Sequence, residues 1–162
     1  MNVPVLVILM GLPGSGKSYV ASHLMHKYGF TVLSGEDITT QLFGTEKVSQ
    51  DQYTQAYNYL RQEATKLISQ GKSVVIDGTN LKHSFRQQIY NEVKCDKTVL
   101  IYLKIDDKTA LDRISKRQNS CSPETYDKFK NQIEEPTVDE NVFVITSDNQ
   151  LLDNIDNLID KT

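Results

Sequence analysis

Cysteine is scarce in this chain of 162 residues: Cys95 and Cys121 stand far apart, without the paired spacing of a metal site. That usage points to free thiols in a reducing, cytoplasmic compartment. Long apolar runs are missing as well, since no stretch approaches the roughly 20 residues that a bilayer-spanning helix needs. The N-terminus has no basic segment ahead of its apolar run, so a signal peptide is not expected. Low-complexity tracts and short internal repeats are absent. Positive charge is not in excess either: a formal net charge of −3 argues against a general nucleic-acid-coating surface. A local basic channel remains compatible with it. Residues 104–130 are locally basic (Lys104, Lys108, Arg113, Lys116, Arg117, Lys128, Lys130) and 134–160 acidic, although such runs are most often solvated helix faces.

What is present is ordinary for a soluble globular chain: 24% charged and 38% hydrophobic residues, in a length that suits one domain, 1–162, with a single core. The most informative segment is Gly11-Leu12-Pro13-Gly14-Ser15-Gly16-Lys17-Ser18, which fits GxxxxGK[ST] and directly follows the apolar run Val5–Met10. A buried strand ending in a tight turn that opens a helix brings successive backbone N–H groups onto one anion. Glycines in such a turn let the backbone approach phosphate oxygens. Lys17 is expected on the β/γ-phosphates of a triphosphate and the Ser18 hydroxyl on Mg²⁺, with Tyr19 beside them. The following helix should run to Tyr28, burying Val20, Ala21, Leu24 and Met25 and stopping at Gly29.

Apolar, β-branched runs alternate with helical patterns along the rest. Strands are expected at 5–10, 30–34, 73–77, 97–105 and 142–146, and helices near 17–28, 36–43, 50–70, 82–94, 107–118, 123–133 and 148–160. Such alternation predicts an α/β fold with a parallel sheet covered by helices on both faces. Right-handed crossovers then put the phosphate loop at the carboxyl edge of the sheet. The helix over 50–70 carries Tyr53, Tyr57, Leu60, Ala64, Leu67 and Ile68 at helical spacing.

Three further pieces lie where that edge would be. Ser34-Gly35-Glu36-Asp37 follows the second strand, and Glu36 or Asp37 could take the proton of an acceptor hydroxyl. The same residues also fit a capped helix start, with acidic groups favoured in the first turn. Val74-Val75-Ile76-Asp77-Gly78-Thr79-Asn80 reads as an apolar strand ending in a carboxylate able to serve Mg²⁺, or as a plain turn. Arg113 and Arg117, at i and i+4, share a helix face ahead of a break at 118–123 and fit a lid over about 112–124. Salt bridges to Asp106, Asp107 or Asp112 on a surface helix are the simpler account.

These pieces, in this order and over nearly the whole chain, resemble a family of small P-loop kinases, AAA-type and zeta-toxin-like relatives among them. The family includes the 5′-hydroxyl polynucleotide kinase domain of end-healing enzymes. The resemblance rests on Gly11–Ser18, on Val75–Asn80 with Arg86 following, on Arg113 and Arg117, and on Glu134-Glu135-Pro136. It implies a P-loop NTPase three-layer sandwich: a five-stranded parallel sheet, helices on both faces and a helical lid. It also implies ATP with Mg²⁺ and an alcohol acceptor, foremost a polynucleotide 5′-hydroxyl, with a nucleoside or small metabolite as the alternative. Gly11, Pro13, Gly14, Ser15, Gly16, Lys17, Ser18, Tyr19, Arg113 and Arg117 would hold nucleotide, and Ser18 and Asp77 metal. Lys17, Glu36, Asp37, Arg113 and Arg117 would carry the chemistry, and Glu36, Arg61, Thr79, Asn80 and Arg86 would meet the acceptor. One element departs from the family. Its second strand ends in Ser-x-Asp-x-x-Arg, whereas Thr39 or Thr40 stands here in place of the arginine, depending on whether Glu36 or Asp37 is aligned with the aspartate. A bidentate grip on an acceptor phosphate is therefore lost at that position, and Arg61 or Arg86 would have to replace it. A different class, an ATP-hydrolysing switch without acceptor, is disfavoured by the short length and the lack of an NKxD element. No membrane and no obligate protein partner is expected.

Overall fold

A computed structural model describes residues 3–117 and 121–162. Five strands form one sheet: β1 (Val5–Met10), β2 (Thr31–Ser34), β3 (Val74–Asp77), β4 (Lys97–Leu103) and β5 (Val142–Ile145). All pair in parallel, in the order β2-β3-β1-β4-β5, with Ile8 level with Ile76 on one side and Leu100 on the other. Parallel neighbours need crossovers, and the described residues supply seven helices for them. These are α1 (Lys17–Tyr28), α2 (Gly35–Phe43), α3 (Gln50–Ser69), α4 (His83–Glu92), α5 (Asp107–Ser115), α6 (Pro123–Lys130) and α7 (Leu151–Asp160).

Strand alternation assigns each side chain to one of two cores. Leu6, Ile8, Met10, Val74, Ile76, Leu100 and Tyr102 face α2, α3 and α4. Val5, Val7, Leu9, Val75, Val99, Ile101 and Leu103 face α1 and α7. Because both faces are covered, β1 is buried at every position and shows no polar alternation. A third, smaller cluster of Ala110, Ile114 and Tyr126 joins α5 to α6 beside the sheet's end, with Leu12 against it. This is the α/β P-loop NTPase architecture that the family resemblance implies.

Departures are local. Met25 is 42% exposed, because at 100° per residue Tyr28 falls within the stripe set by Val20, Ala21 and Leu24 while Met25 lies off its edge. β4 ends at Leu103, where Asp106 already caps α5 by accepting from the Thr109 N–H at 2.8 Å. α5 ends at Ser115, α6 at Lys130, and α7 begins only at Leu151, after Gln150 takes a left-handed turn at φ 56°. Residues 118–120 of the expected lid lie outside the described residues. Behind the sheet, Asp156 of α7 accepts from three side chains of α1: His23 Nε2 at 2.7 Å, Lys27 Nζ at 2.5 Å and Tyr28 Oη at 2.9 Å.

Candidate active site

β1 delivers the chain to the middle of the sheet, and the next residues must turn without filling the space they enclose. Ser15 N donates to the Leu12 carbonyl at 3.2 Å, and Gly11 N donates to Thr79 O at 3.1 Å, which ties the loop to the exit of β3. Gly14 has φ 79°, and a Cβ there would lie 2.5 Å from the Ala110 carbonyl oxygen, so α5 packs on the loop only because the side chain is absent. Gly16 (φ 100°) caps α1 with no side chain to occupy the first-turn N–H groups. Those donors and the positive helix end therefore await an anion from elsewhere.

Lys17 folds back under this loop, its Nζ donating to Leu12 O at 2.9 Å and to Ser15 Oγ at 3.4 Å. Burial lowers its pKa from 10.5 to about 8, against the opposing pull of Asp77 and Glu36. Ser18 Oγ donates to Asp77 Oδ2 at 3.2 Å. Burial pushes the Asp77 carboxyl above its ordinary value although Lys17 and Ser18 draw it down. One hydroxyl and one carboxylate side by side form a hard-oxygen pair of the kind Mg²⁺ takes, with waters and phosphate oxygens completing its shell. The residues present fit that ion.

β2 ends in register with β3, Ser34 opposite Asp77, so the turn into α2 meets the same edge. Ser34 caps α2 by accepting from the Asp37 N–H at 3.3 Å. The Glu36 carboxyl is pushed up by burial first and then by Glu46, Asp77 and Asp37, while Lys17 draws it down. Glu36 is thus coupled to Asp77 and to the loop lysine together.

On the other side of the loop, Arg113 Nη1 donates to Gly14 O at 3.1 Å, and its guanidinium pairs with Asp148 after β5. Arg117 continues the turn, its N–H donating to Ile114 O at 3.1 Å, and its side chain is exposed. Both arginines line a cleft of about 560 Å³ with Gly16, Tyr19, Asp148, Leu151 and Leu152. Tyr19 is 59% exposed. The loop, the end of α5 and the start of α7 thus border one cleft.

Three expected acceptor residues are committed elsewhere. Arg86 is fully buried: it donates to Glu140 Oε1 at 2.7 Å and to the carbonyls of Asn80, Leu81 and Glu134 at 2.9–3.0 Å. Burial alone would raise Glu140, but Arg86, the Thr137 N–H and the Tyr90 hydroxyl hold it below the ordinary range. Arg61 is buried against Glu92 (2.5 Å) and Asn58. Neither guanidinium is open to a substrate, because each satisfies a charge or carbonyls that burial would otherwise strand. Asn80 is buried too, at φ 48°, and its Nδ2 donates to Leu9 O at 2.6 Å, stapling the loop after β3 to β1. Thr79 stays half-buried beside Gly11. Thr39 donates to Gly35 O within its own helix at 2.7 Å. Leu151 and Leu152 were missed by the sequence reading, since apolar residues opening a helix carry no signal that separates a cleft wall from core. Tyr57 sits at helical spacing in the sequence; its Cζ lies 2.7 Å from where a Gly35 Cβ would stand, and its hydroxyl is 3.6 Å from the same position at Gly78. The two short-side-chain signals, Gly35 and Gly78, could have indicated a large ring between them.

The sheet order, the glycine loop and its lysine define a P-loop NTPase of kinase-like architecture. A family model described as an AAA domain matches residues 6–136, and the chain belongs to that family. Among solved structures, a sugar kinase from Janibacter sp. HTCC2649 superposes with a TM-score of 0.77 at 19% identity, covering 97% of this chain and 95% of that one. The APS kinase CysC of Mycobacterium tuberculosis, in complex with AMPPNP and APS, gives 0.71 at 18% identity over 99% and 98%. A chain of the Pnkp1/Rnl/Hen1 RNA repair complex gives 0.69 at 22% identity, over 82% of this chain and 44% of that one. At these identities the likeness is one of fold.

Proposed function

We propose that this protein is an ATP-dependent kinase that moves the γ-phosphoryl group to a hydroxyl, foremost the 5′-hydroxyl of a polynucleotide. The observation that carries the reading is the convergence of Lys17, the Ser18–Asp77 pair and Glu36 on one sheet edge, with Arg113 and Arg117 across the loop. A phosphate cradle alone serves binding, whereas a carboxylate with a raised pKa next to it serves transfer.

In this mechanism the first-turn N–H groups of α1 and the Lys17 ammonium hold the triphosphate tail. Ser18 and Asp77 would hold Mg²⁺, whose charge offsets that of the phosphates. Glu36 accepts the proton of the acceptor hydroxyl as its oxygen bonds to the γ-phosphorus, and the bond from that phosphorus to the β–γ bridging oxygen breaks, leaving ADP. Arg117, exposed on the cleft, neutralises charge on the phosphoryl group in transit, and Arg113 anchors the lid to Gly14. We assign the base to Glu36 because burial pushes up its carboxyl, which stands beside Asp77 and Lys17.

One observation favours the second reading, a nucleoside or other small unphosphorylated alcohol. Arg61 and Arg86 are both engaged, and Thr39 bonds within α2, so no arginine from these positions grips an acceptor phosphate. Labelled ATP offered with a 5′-hydroxyl oligonucleotide and with a panel of nucleosides and sugars separates the two. Label in the oligonucleotide supports the first reading. Label confined to small molecules replaces it with the second, and release of phosphate unaffected by any acceptor overturns the kinase reading.

A further inference from the structure

Three aromatic side chains stand outside the two sheet cores, and Tyr57 among them lies beside Glu36 and Asp77. Tyr53 and Tyr57 lie one turn apart on α3, their rings 4.4 Å apart and tilted by 31°. Phe85 in the first turn of α4 adds a third ring, 6.4 Å from Tyr53. Tyr53 and Tyr57 continue the stripe of Ala56, Leu60, Ala64 and Ile68 towards the N-terminus of α3, where Gly35 and Gly78 rather than the sheet core lie against Tyr57. Phe85 is 36% exposed, which is unusual for a phenylalanine unless something covers it.

The placement of the wall is built by two glycines. Gly35 leaves the space that the Tyr57 phenol fills, and the same hydroxyl reaches towards Gly78, just past Asp77. Glu36 and Asp77 both help to raise the Tyr57 pKa, second to burial and Tyr53, which reflects their proximity. The wall therefore starts at the carboxylates and continues through Tyr53 to Phe85. Lys82 holds its ammonium over the Phe85 ring at 5.8 Å. A row of π-faces ending in an ammonium has the chemistry of a base followed by a phosphate. A sugar subsite would instead need converging polar groups along the same wall.

We propose that Tyr53, Tyr57, Phe85 and Lys82 form a subsite for the leading base of the acceptor and the phosphate on its 3′ side. This rests on the kinase reading above and assigns acceptor grip to stacked rings and an ammonium. Stacking is indifferent to base identity, so the subsite selects a nucleic-acid end without selecting sequence.

The test reads binding without turnover. A 5′-hydroxyl dinucleotide with 2-aminopurine in first position is titrated into the full chain, since stacking quenches its fluorescence; 2-aminopurine riboside is the control without phosphate. Quenching by the wild-type protein is expected, with Kd raised about tenfold or more in Tyr53→Ala and Phe85→Ala and restored in Tyr53→Phe. Lys82→Gln should weaken the dinucleotide and leave the riboside unaffected. Circular dichroism and ATP affinity report on the fold of each variant. No quenching, or a Kd that neither alanine variant moves, overturns the subsite. If the protein binds the probe in this way yet phosphorylates no alcohol, the kinase reading fails and the subsite stands.

Discussion

The Lys17 ammonium donates to the Leu12 carbonyl at 2.9 Å, so the loop's cation is held by its own backbone before any phosphate arrives. Burial of that ammonium brings its pKa to about 8. A triphosphate supplies the negative charge that the position lacks, so its arrival favours the protonated form.

This gives a signed pH dependence. Below pH 8 Lys17 is already charged and ATP binding moves no proton onto it; between about 8 and 10.5 the free protein has lost that proton and binding restores it. Calorimetry at pH 9 in buffers of different ionisation enthalpy should register proton uptake, and ATP affinity should fall as pH rises through 8. Lys17→Met should abolish the uptake and phosphoryl transfer while leaving the circular dichroism unchanged. The linkage to folding has the same origin. In that window the unfolded chain binds more protons at this position, so Lys17 contributes a rise of stability with pH that Lys17→Met lacks.

Glu36→Gln should lower kcat by about 10²-fold or more, within the range for a lost general base, and Asp37→Asn by much less. The wild-type rate should fall as pH drops through the raised Glu36 pKa, and that acid limb should vanish in Glu36→Gln. Because the folded pKa lies above the unfolded one, the ionised carboxylate is disfavoured by folding at neutral pH. Glu36→Gln is therefore expected to raise Tm at pH 7, which differential scanning calorimetry would register.

Arg117→Ala is expected to reduce kcat by about 10²- to 10³-fold with little change in ATP Kd, as for a donor engaged in the transition state. Arg113→Ala should act through the seating of α5 on the loop instead, raising the KM for ATP, since its partners are Gly14 O and Asp148. Steady-state kinetics paired with equilibrium nucleotide binding distinguish the two patterns.

Arg86→Ala should cost about 3–5 kcal/mol of stability by urea denaturation, as it strands the buried Glu140 carboxylate. The double variant Arg86→Met/Glu140→Met removes both charges and should recover much of that loss. An activity defect without loss of stability would return Arg86 to the acceptor.

The layout of the sheet was legible because fully buried parallel strands are written as unbroken runs such as Val5–Met10, and the phosphate loop because its glycines and lysine have fixed spacing. Roles of lone polar residues were not. Arg86 and Arg61 follow the same edge in sequence, yet burial turned both inward, and nothing local to Arg86 announces Glu140, which comes from a distant turn. Tyr53 and Tyr57 share the spacing of core positions on α3, and only the glycine gap at position 35 separates a wall from a core. The partner of Arg113, Asp148, sits in a turn whose composition says only that the chain is at the surface.

The clasp at Asp156 has a bearing on the far side of the molecule. α1 begins at the phosphate loop and α7 begins with Leu151 and Leu152 in the neighbouring cleft, so the tail and the head of a bound nucleotide would each rest on one helix of a pair. His23, Lys27 and Tyr28 bolt that pair together well below the opening. The span of the mouth is thereby set at its hinge pin, like the jaws of a caliper, and loosening the pin would mis-set the gap without touching either jaw.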